Sequence, residues 1–195
     1  MCLAAIRISA RDRESICDLV DYGLDKGFDL ACSESMKLDH ATLVPMHFLT
    51  PDMRVPIVPI HIKALLEPLP RADRCYALGQ MVRGFIDQRA TNERVALIAS
   101  GSFSLEVGGP RMGTINREWF DFVLDCLRTE AIDKLISAAT SENMLSAGNT
   151  GGELLLWIAL MGAVGKHKLT FFEPDASPPG APRDAHAYAV WDIVS

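Results

Sequence analysis

The chain has 195 residues, 49% of them hydrophobic, with a formal net charge of −6 and a pI near 5.3. That length and apolar share suit one domain with a full core, so a two-domain organisation is not expected. The acidic balance, with no dense Lys/Arg cluster, sets aside nucleic acid and anionic membrane surfaces as expected partners.

The apolar opening Met1 to Ile6 is interrupted by Arg7 and has neither a basic leader nor a small-residue cleavage site. It therefore does not read as a secretory signal, and a cytoplasmic location is expected. Five cysteines stand singly with no C-x-x-C pair, the pattern of reduced structural thiols. Ile16, Leu19, Val20 and Leu24 recur at helical spacing, predicting a helix from about Asp12 to Lys26 with Gly27 as its C-terminal cap. Phe28 to Cys32 reads as a short buried strand, followed by a polar loop through Asp39 and His40 and a short helix near Leu43 to Leu49. Val55 to Ile62 is strand-like, but Pro56 and Pro59 make it irregular or an edge.

Leu78, Met81, Val82, Phe85 and Ile86 mark one amphipathic helix, and Trp119, Phe122, Val123, Cys126 and Leu127 mark another. Between them, Val95 to Ala99 is a continuous apolar run of the kind found in strands covered on both faces. Leu154 to Met161 is a wholly apolar helix, too short to span a bilayer. Ser177 to Pro182 reads as a loop and Ala187 to Trp191 as a last strand. This alternation predicts an α/β fold, a layered αβα sandwich with a mainly parallel sheet, built as a single domain over residues 1–195.

Chemistry is expected in two places. Ser100 to Glu106 follows the apolar run, and ligands of α/β sheets collect at the carboxyl ends of strands. The segment is neither a P-loop nor a nucleophile elbow, and its plain reading is a Gly/Ser turn. Glu153 leads the apolar helix, where a carboxylate needs a partner to offset desolvation. Thr150-x-x-Glu153 fits a capping box, whereas Gly151 and Gly152 weaken a helix start and let another group approach the backbone. His40, beside Asp39, is a candidate proton shuttle. His47, His61, His167 and His186 show no H-x-x-x-H spacing, so spacing alone gives no metal site.

Four segments then fall together in order: Leu38-Asp39-His40-Ala41-Thr42-Leu43-Val44-Pro45-Met46, Val55 to Ile60, Ala99 to Pro110, and Ala147-Gly148-Asn149-Thr150-Gly151-Gly152-Glu153-Leu154-Leu155 with Trp157-Ile158. As an ordered set they resemble the class III extradiol ring-cleaving dioxygenases of the LigB type, which include the catalytic subunit of protocatechuate 4,5-dioxygenase. The resemblance implies O₂-dependent cleavage of a catechol-type ring in aromatic catabolism at a mononuclear non-haem Fe(II), held by a facial triad of two histidines and a glutamate. Glu153 matches the glutamate ligand, His40 a histidine near the bound substrate, and Ser102, Ser104 and Leu105 the substrate-pocket loop. A homo- or hetero-oligomer is also implied.

Two departures stand beside the matches. The iron-binding histidines of the family precede the first helix, and this chain has no histidine before His40, so both are expected upstream of or outside this chain. The family carries Ser-His in the strand-end loop, where this chain has Ser104-Leu105, and leucine cannot move a proton. Three readings follow: a LigB-like domain without the family's N-terminal third, a non-catalytic companion subunit of a heteromeric dioxygenase, or an ordinary α/β small-molecule binding protein unrelated to oxygen chemistry.

Overall fold

The computed structural model describes residues 2–3, 12–33, 35–52, 54–89, 94–165, 167–174 and 186–193. The fold is organised around α7 (Leu154–Val164), in which every residue is buried. A helix apolar on all sides has no solvent face to offer, so other elements must cover it. The principal cover is α3 (Ala72–Gln88), whose buried stripe includes Cys75, Met81, Val82 and Phe85. The two backbones come into direct contact: a Cβ on Gly79 would stand 1.9 Å from the Ala159 carbonyl oxygen, and one on Gly162 would stand 2.1 Å from that of Tyr76. The expected amphipathic helices are thus both present, the second as α4 (Arg117–Arg128), which buries Phe120, Val123, Leu124, Cys126 and Leu127. Stacking of Phe103 on Phe120 and an edge contact of Phe103 with Trp157 link α4 to α7.

The first helix, α1 (Asp12–Asp25), ends as its sequence indicates. Gly27 takes φ 77°, and the N–H groups of Gly27 and Phe28 donate to the carbonyls of Leu24 and Gly23, the Schellman closure that only a residue tolerant of positive φ accepts readily. α2 (His40–Leu49) begins at His40 itself, so this residue opens a helix instead of lying in a loop. Asp39 is the N-cap, accepting from the Thr42 N–H at 3.2 Å. Desolvation pushes its carboxyl upward, but the Thr42 N–H and hydroxyl and the nearby His61 outweigh that and hold it below its usual value. A depressed acid stabilises the fold above its unfolded value of 3.8 and loses that contribution as pH falls through its folded value. Asp39→Ala is therefore expected to cost about 1 kcal/mol in urea unfolding at pH 7, and the difference should fade in the same measurement at pH 3.

Four short elements complete the core: α5 (Ile132–Ala138), α6 (Ser141–Ser146), a 3-10 turn (Gly151–Glu153) and β2 (Ile60–His61). β1 (Cys2–Leu3) pairs antiparallel with β2 through Cys2 with His61 and Leu3 with Ile60. β3 (His167–Pro174) pairs antiparallel with β4 (Ala187–Ile193), with a register shift between Leu169 and Phe171. Leu169 is half-buried, and Phe172, Ala189 and Trp191 pack on the core, while Phe171, Tyr188 and Val190 face out.

The chain is a mixed helix-and-sheet protein, but both described strand pairs are antiparallel, and the expected parallel sheet is not formed by the described residues. Val95 to Ala99 forms no strand beyond a bridge at Ala99. Val95, Leu97 and Ala99 pack on the core, whereas Ile98 is only half-buried and Ala96 is exposed, so the run is covered more on one face than on the other. Likewise Phe28 and Leu30 pack inward while Asp29, Ala31 and Cys32 are exposed, without strand pairing. An apolar run supplies side chains for a core, whereas a strand also needs a neighbouring backbone to pair with. Of Val55 to Ile62 only Ile60 and His61 pair, in keeping with its two prolines. The expected loop at Ser177 to Pro182 lies outside the described residues.

Among the thiols, Cys75 and Cys126 are buried and Cys17 and Cys32 exposed, all free. Burial pushes Cys75 up to about 12, so it is an inert core residue at neutral pH. No helix among the described residues is long and apolar enough to cross a membrane.

Candidate functional site

Glu153 closes the 3-10 turn one residue before α7 and is 5% exposed. The glycines before it give the turn room to sink between two other elements. A Cβ on Gly151 would stand 1.9 Å from the Met144 carbonyl oxygen, and one on Gly152 2.1 Å from that of Ala64. The close backbone approach that the Gly pair predicts is therefore present, against α6 on one side and the segment after β2 on the other.

The capping-box alternative is not what these residues do. Thr150 makes no side-chain cap. Its Oγ1 donates to the Leu105 carbonyl at 2.8 Å instead. The Glu153 carboxylate reaches across the molecule and accepts the Ser102 N–H at 2.6 Å. Gly101 permits that approach, since a Cβ there would lie 2.7 Å from Glu153 Cβ and 2.9 Å from its Oε2. Trp157, one turn along α7, donates its indole N–H to the Gly101 carbonyl at 2.9 Å. One loop and one helix start are thus held together by a carboxylate and an indole from the same helix face.

Electrostatically this carboxylate is under strain of solvation. Burial pushes Glu153 up to about 7, and the Ser102 N–H works against that rise. A carboxylate has about four acceptor positions, and Ser102 is the donor that the described residues supply. The Ser102 hydroxyl beside it is itself buried with no hydrogen-bond partner among the described residues. A buried acceptor with unfilled positions next to an orphaned hydroxyl is the chemistry of a site for a cation or a polar ligand.

The other residues singled out from sequence fall differently. Ser104 is fully buried, and its Oγ accepts the Asn116 N–H and faces the carbonyls of Asn116 and Ala147, so it ties the loop to the start of α4 and the end of α6. Leu105 is half-buried, with its carbonyl taken by the N–H and hydroxyl of Thr150. His40 is an exposed residue of α2, and no hydrogen bond, ion pair or ring contact among the described residues joins it to Glu153. Arg111 pairs with Glu106 at 3.1 Å and is largely exposed. Sequence reasoning did not single out Asn149, Gly101 or Trp157. The usable signal was Asn149-Thr150 between glycines, where short polar side chains bond backbone.

Glu153 suits the role of one carboxylate ligand to a metal. No group of three His, Cys, Asp or Glu side chains placed to hold a metal is present among the described residues, so these residues by themselves do not make an iron site.

Comparison with known proteins gives the family. A profile described as the catalytic LigB subunit of aromatic ring-opening dioxygenase matches residues 19–177. Gallate dioxygenase of Pseudomonas putida is 34% identical over 140 residues, covering 70% of this chain and 41% of that protein. A 2,3-dihydroxyphenylpropionate/2,3-dihydroxicinnamic acid 1,2-dioxygenase of Photorhabdus laumondii subsp. laumondii is 35% identical over 102 residues, which is 52% of this chain and 32% of the relative. Its counterpart in Comamonas testosteroni is 37% identical over 97 residues, or 48% and 30%. The chain thus spans between about three tenths and two fifths of the length of these curated relatives. With a family profile running through the Ser102 loop and Glu153, the chain belongs to the family of catalytic LigB subunits of aromatic ring-opening dioxygenases.

Proposed function

We propose that this chain contributes the glutamate side of an extradiol dioxygenase site, which opens a catechol-type aromatic ring with O₂ in aromatic catabolism. The observation that carries the reading is the buried Glu153 carboxylate, held by the Ser102 N–H at 2.6 Å with its other acceptor positions unfilled by described residues. Fe(II) is the proposed cofactor, with histidine ligands from outside this chain, and it would supply the redox chemistry with O₂. Within the chain, Glu153 offers the carboxylate, Ser102 orients it, Ser104 keeps the loop in shape, and Leu105 presents an apolar wall to a flat aromatic. His40 is proposed as the proton-handling group, on the resemblance of its segment. The single LigB-like domain and the layered αβα sandwich with a mainly parallel sheet are proposed for the protein as a whole. An oligomer is proposed too, supported by the exposed Leu43, Val44, Phe48 and Leu49 of α2, an apolar face of the kind that marks interfaces.

Leu105 and the incomplete ligand set among the described residues favour a second reading, the non-catalytic companion subunit. Anaerobic loading with Fe(II), followed by O₂ uptake with gallate and with 2,3-dihydroxyphenylpropionate, separates the two. The test uses the chain alone and the chain with any protein that co-purifies with it. Cleavage that is lost in Glu153→Gln supports the catalytic reading, and cleavage by the chain alone removes the companion one. Cleavage by a co-purified complex that is indifferent to Glu153→Gln would make this chain the companion. No O₂ uptake in either preparation would overturn both.

A further inference from the structure

The Ser102 loop and the Glu153 turn meet a second time, away from the carboxylate. Gly148 takes φ 132°, and a Cβ there would stand 2.3 Å from the Leu105 carbonyl oxygen, so the two backbones touch. Asn149 then spans to Val107 with both ends of its amide. Its Oδ1 accepts the Val107 N–H at 2.9 Å, and its Nδ2 donates to the Val107 carbonyl at 2.8 Å. This imitates the pairing a neighbouring strand would give Val107, because an amide carries a donor and an acceptor side by side. The Asn149 N–H donates to Glu106 Oε2 at 3.1 Å, and Thr150 donates to the Leu105 carbonyl through both its N–H and its hydroxyl.

Resting on the reading of Glu153 as a site residue, we propose that Asn149 is a positioning residue, fixing the loop at the height where the Ser102 N–H meets the Glu153 carboxylate. Asn149 is exposed, and each neutral hydrogen bond contributes only about 1 kcal/mol to stability, so its loss leaves the core intact. The same loss removes both side-chain bonds to Val107 and leaves the segments joined only through Leu105 and Glu106, and nothing in the Asn149 contacts reaches α7 directly. Arg111 donates to the same Glu106 Oε2 that accepts the Asn149 N–H, so it steadies that acceptor from the loop side.

The test is amide hydrogen exchange on the full chain, followed by NMR. Asn149→Ala should speed exchange at Ser102 about tenfold, with the amides of Leu156 to Leu160 in α7 unchanged. Asn149→Asp, which keeps the acceptor for Val107 N–H but sets a carboxylate against its carbonyl, should show the same loss. Unchanged exchange at Ser102, or an equal rise at Ser102 and in α7, would overturn the assignment. In a ring-cleaving preparation, Asn149→Ala should lower kcat about tenfold or more while leaving KM for the catechol within about twofold. An unaltered kcat there would also overturn it. If the unsubstituted protein cleaves no catechol, the proposed function fails, and exchange at Ser102 still decides the role of Asn149.

Discussion

Glu153→Gln is expected to make the metal-free chain increasingly more stable than wild type as pH rises from about 4.5 to about 7, and no different below that range. The wild-type carboxyl moves from an ordinary 4.5 to about 7 on folding because burial disfavours its charged form. The sign follows from linkage: the folded state binds the proton more tightly, so stability is highest below pH 4.5 and is lost as pH rises through about 7. At about 1.4 kcal/mol per tenfold change in proton affinity, the loss is about 3 kcal/mol. Glutamine keeps an acceptor for the Ser102 N–H and carries no charge to desolvate. The difference in unfolding free energy between variant and wild type, measured in urea from pH 4 to pH 8.5, should therefore grow with pH and level off above about 7.5. Parallel curves would show that the carboxylate has a compensating partner.

The same substitution should act in the opposite direction on function. A carboxylate that destabilises the metal-free fold is the kind of group kept for a ligand, and a neutral amide is a poorer partner for a divalent cation. Where ring cleavage is measurable, Glu153→Gln should lower it at least about 100-fold. A gain in alkaline stability together with a loss of turnover is the pattern expected when a functional group is held against the preference of its surroundings.

The second large effect concerns the glycines that seat this carboxylate. Gly152→Ala would set a Cβ 2.1 Å from the Ala64 carbonyl oxygen and 3.1 Å from Leu69 Cδ1, and Gly151→Ala one 1.9 Å from the Met144 carbonyl oxygen. Side-chain rotation cannot relieve a clash with main-chain oxygen, so the turn, α6 or the segment after β2 must move. Each variant is expected to lose about 3 kcal/mol or more. Gly27→Ala makes a useful comparison. Its φ of 77° disfavours a side chain but nothing lies within 4 Å of the added carbon, so about 1 kcal/mol is expected. Thermal unfolding should rank Gly27→Ala well above both variants of the turn, and equal melting temperatures would mean that the packing around Glu153 is looser than its backbone contacts indicate.

Helical periodicity was legible in this chain because it depends on neighbours three and four residues away. The stripes of Leu78 to Ile86 and of Trp119 to Leu127 lie inside α3 and α4, Gly27 closes α1, and the apolar run after Glu153 is the buried α7. The two glycines before Glu153 also announced a close backbone contact, since only a missing side chain permits one. Pairing was not legible. Val95 to Ala99 and Phe28 to Cys32 have the side chains of strands, but their hydrogen-bonding neighbours are set by segments far away in the chain. The partner of Glu153 was hidden for the same reason. Thr150-x-x-Glu153 satisfies a local rule, and from sequence that rule competes evenly with any distant contact. Tertiary structure alone decided the matter, because Ser102 stands 51 residues away and the Leu105 carbonyl that takes Thr150 stands 45 away. Local patterns determine which residues turn and which are buried; the carboxylate's partner depends on which backbones packing brings within hydrogen-bonding distance.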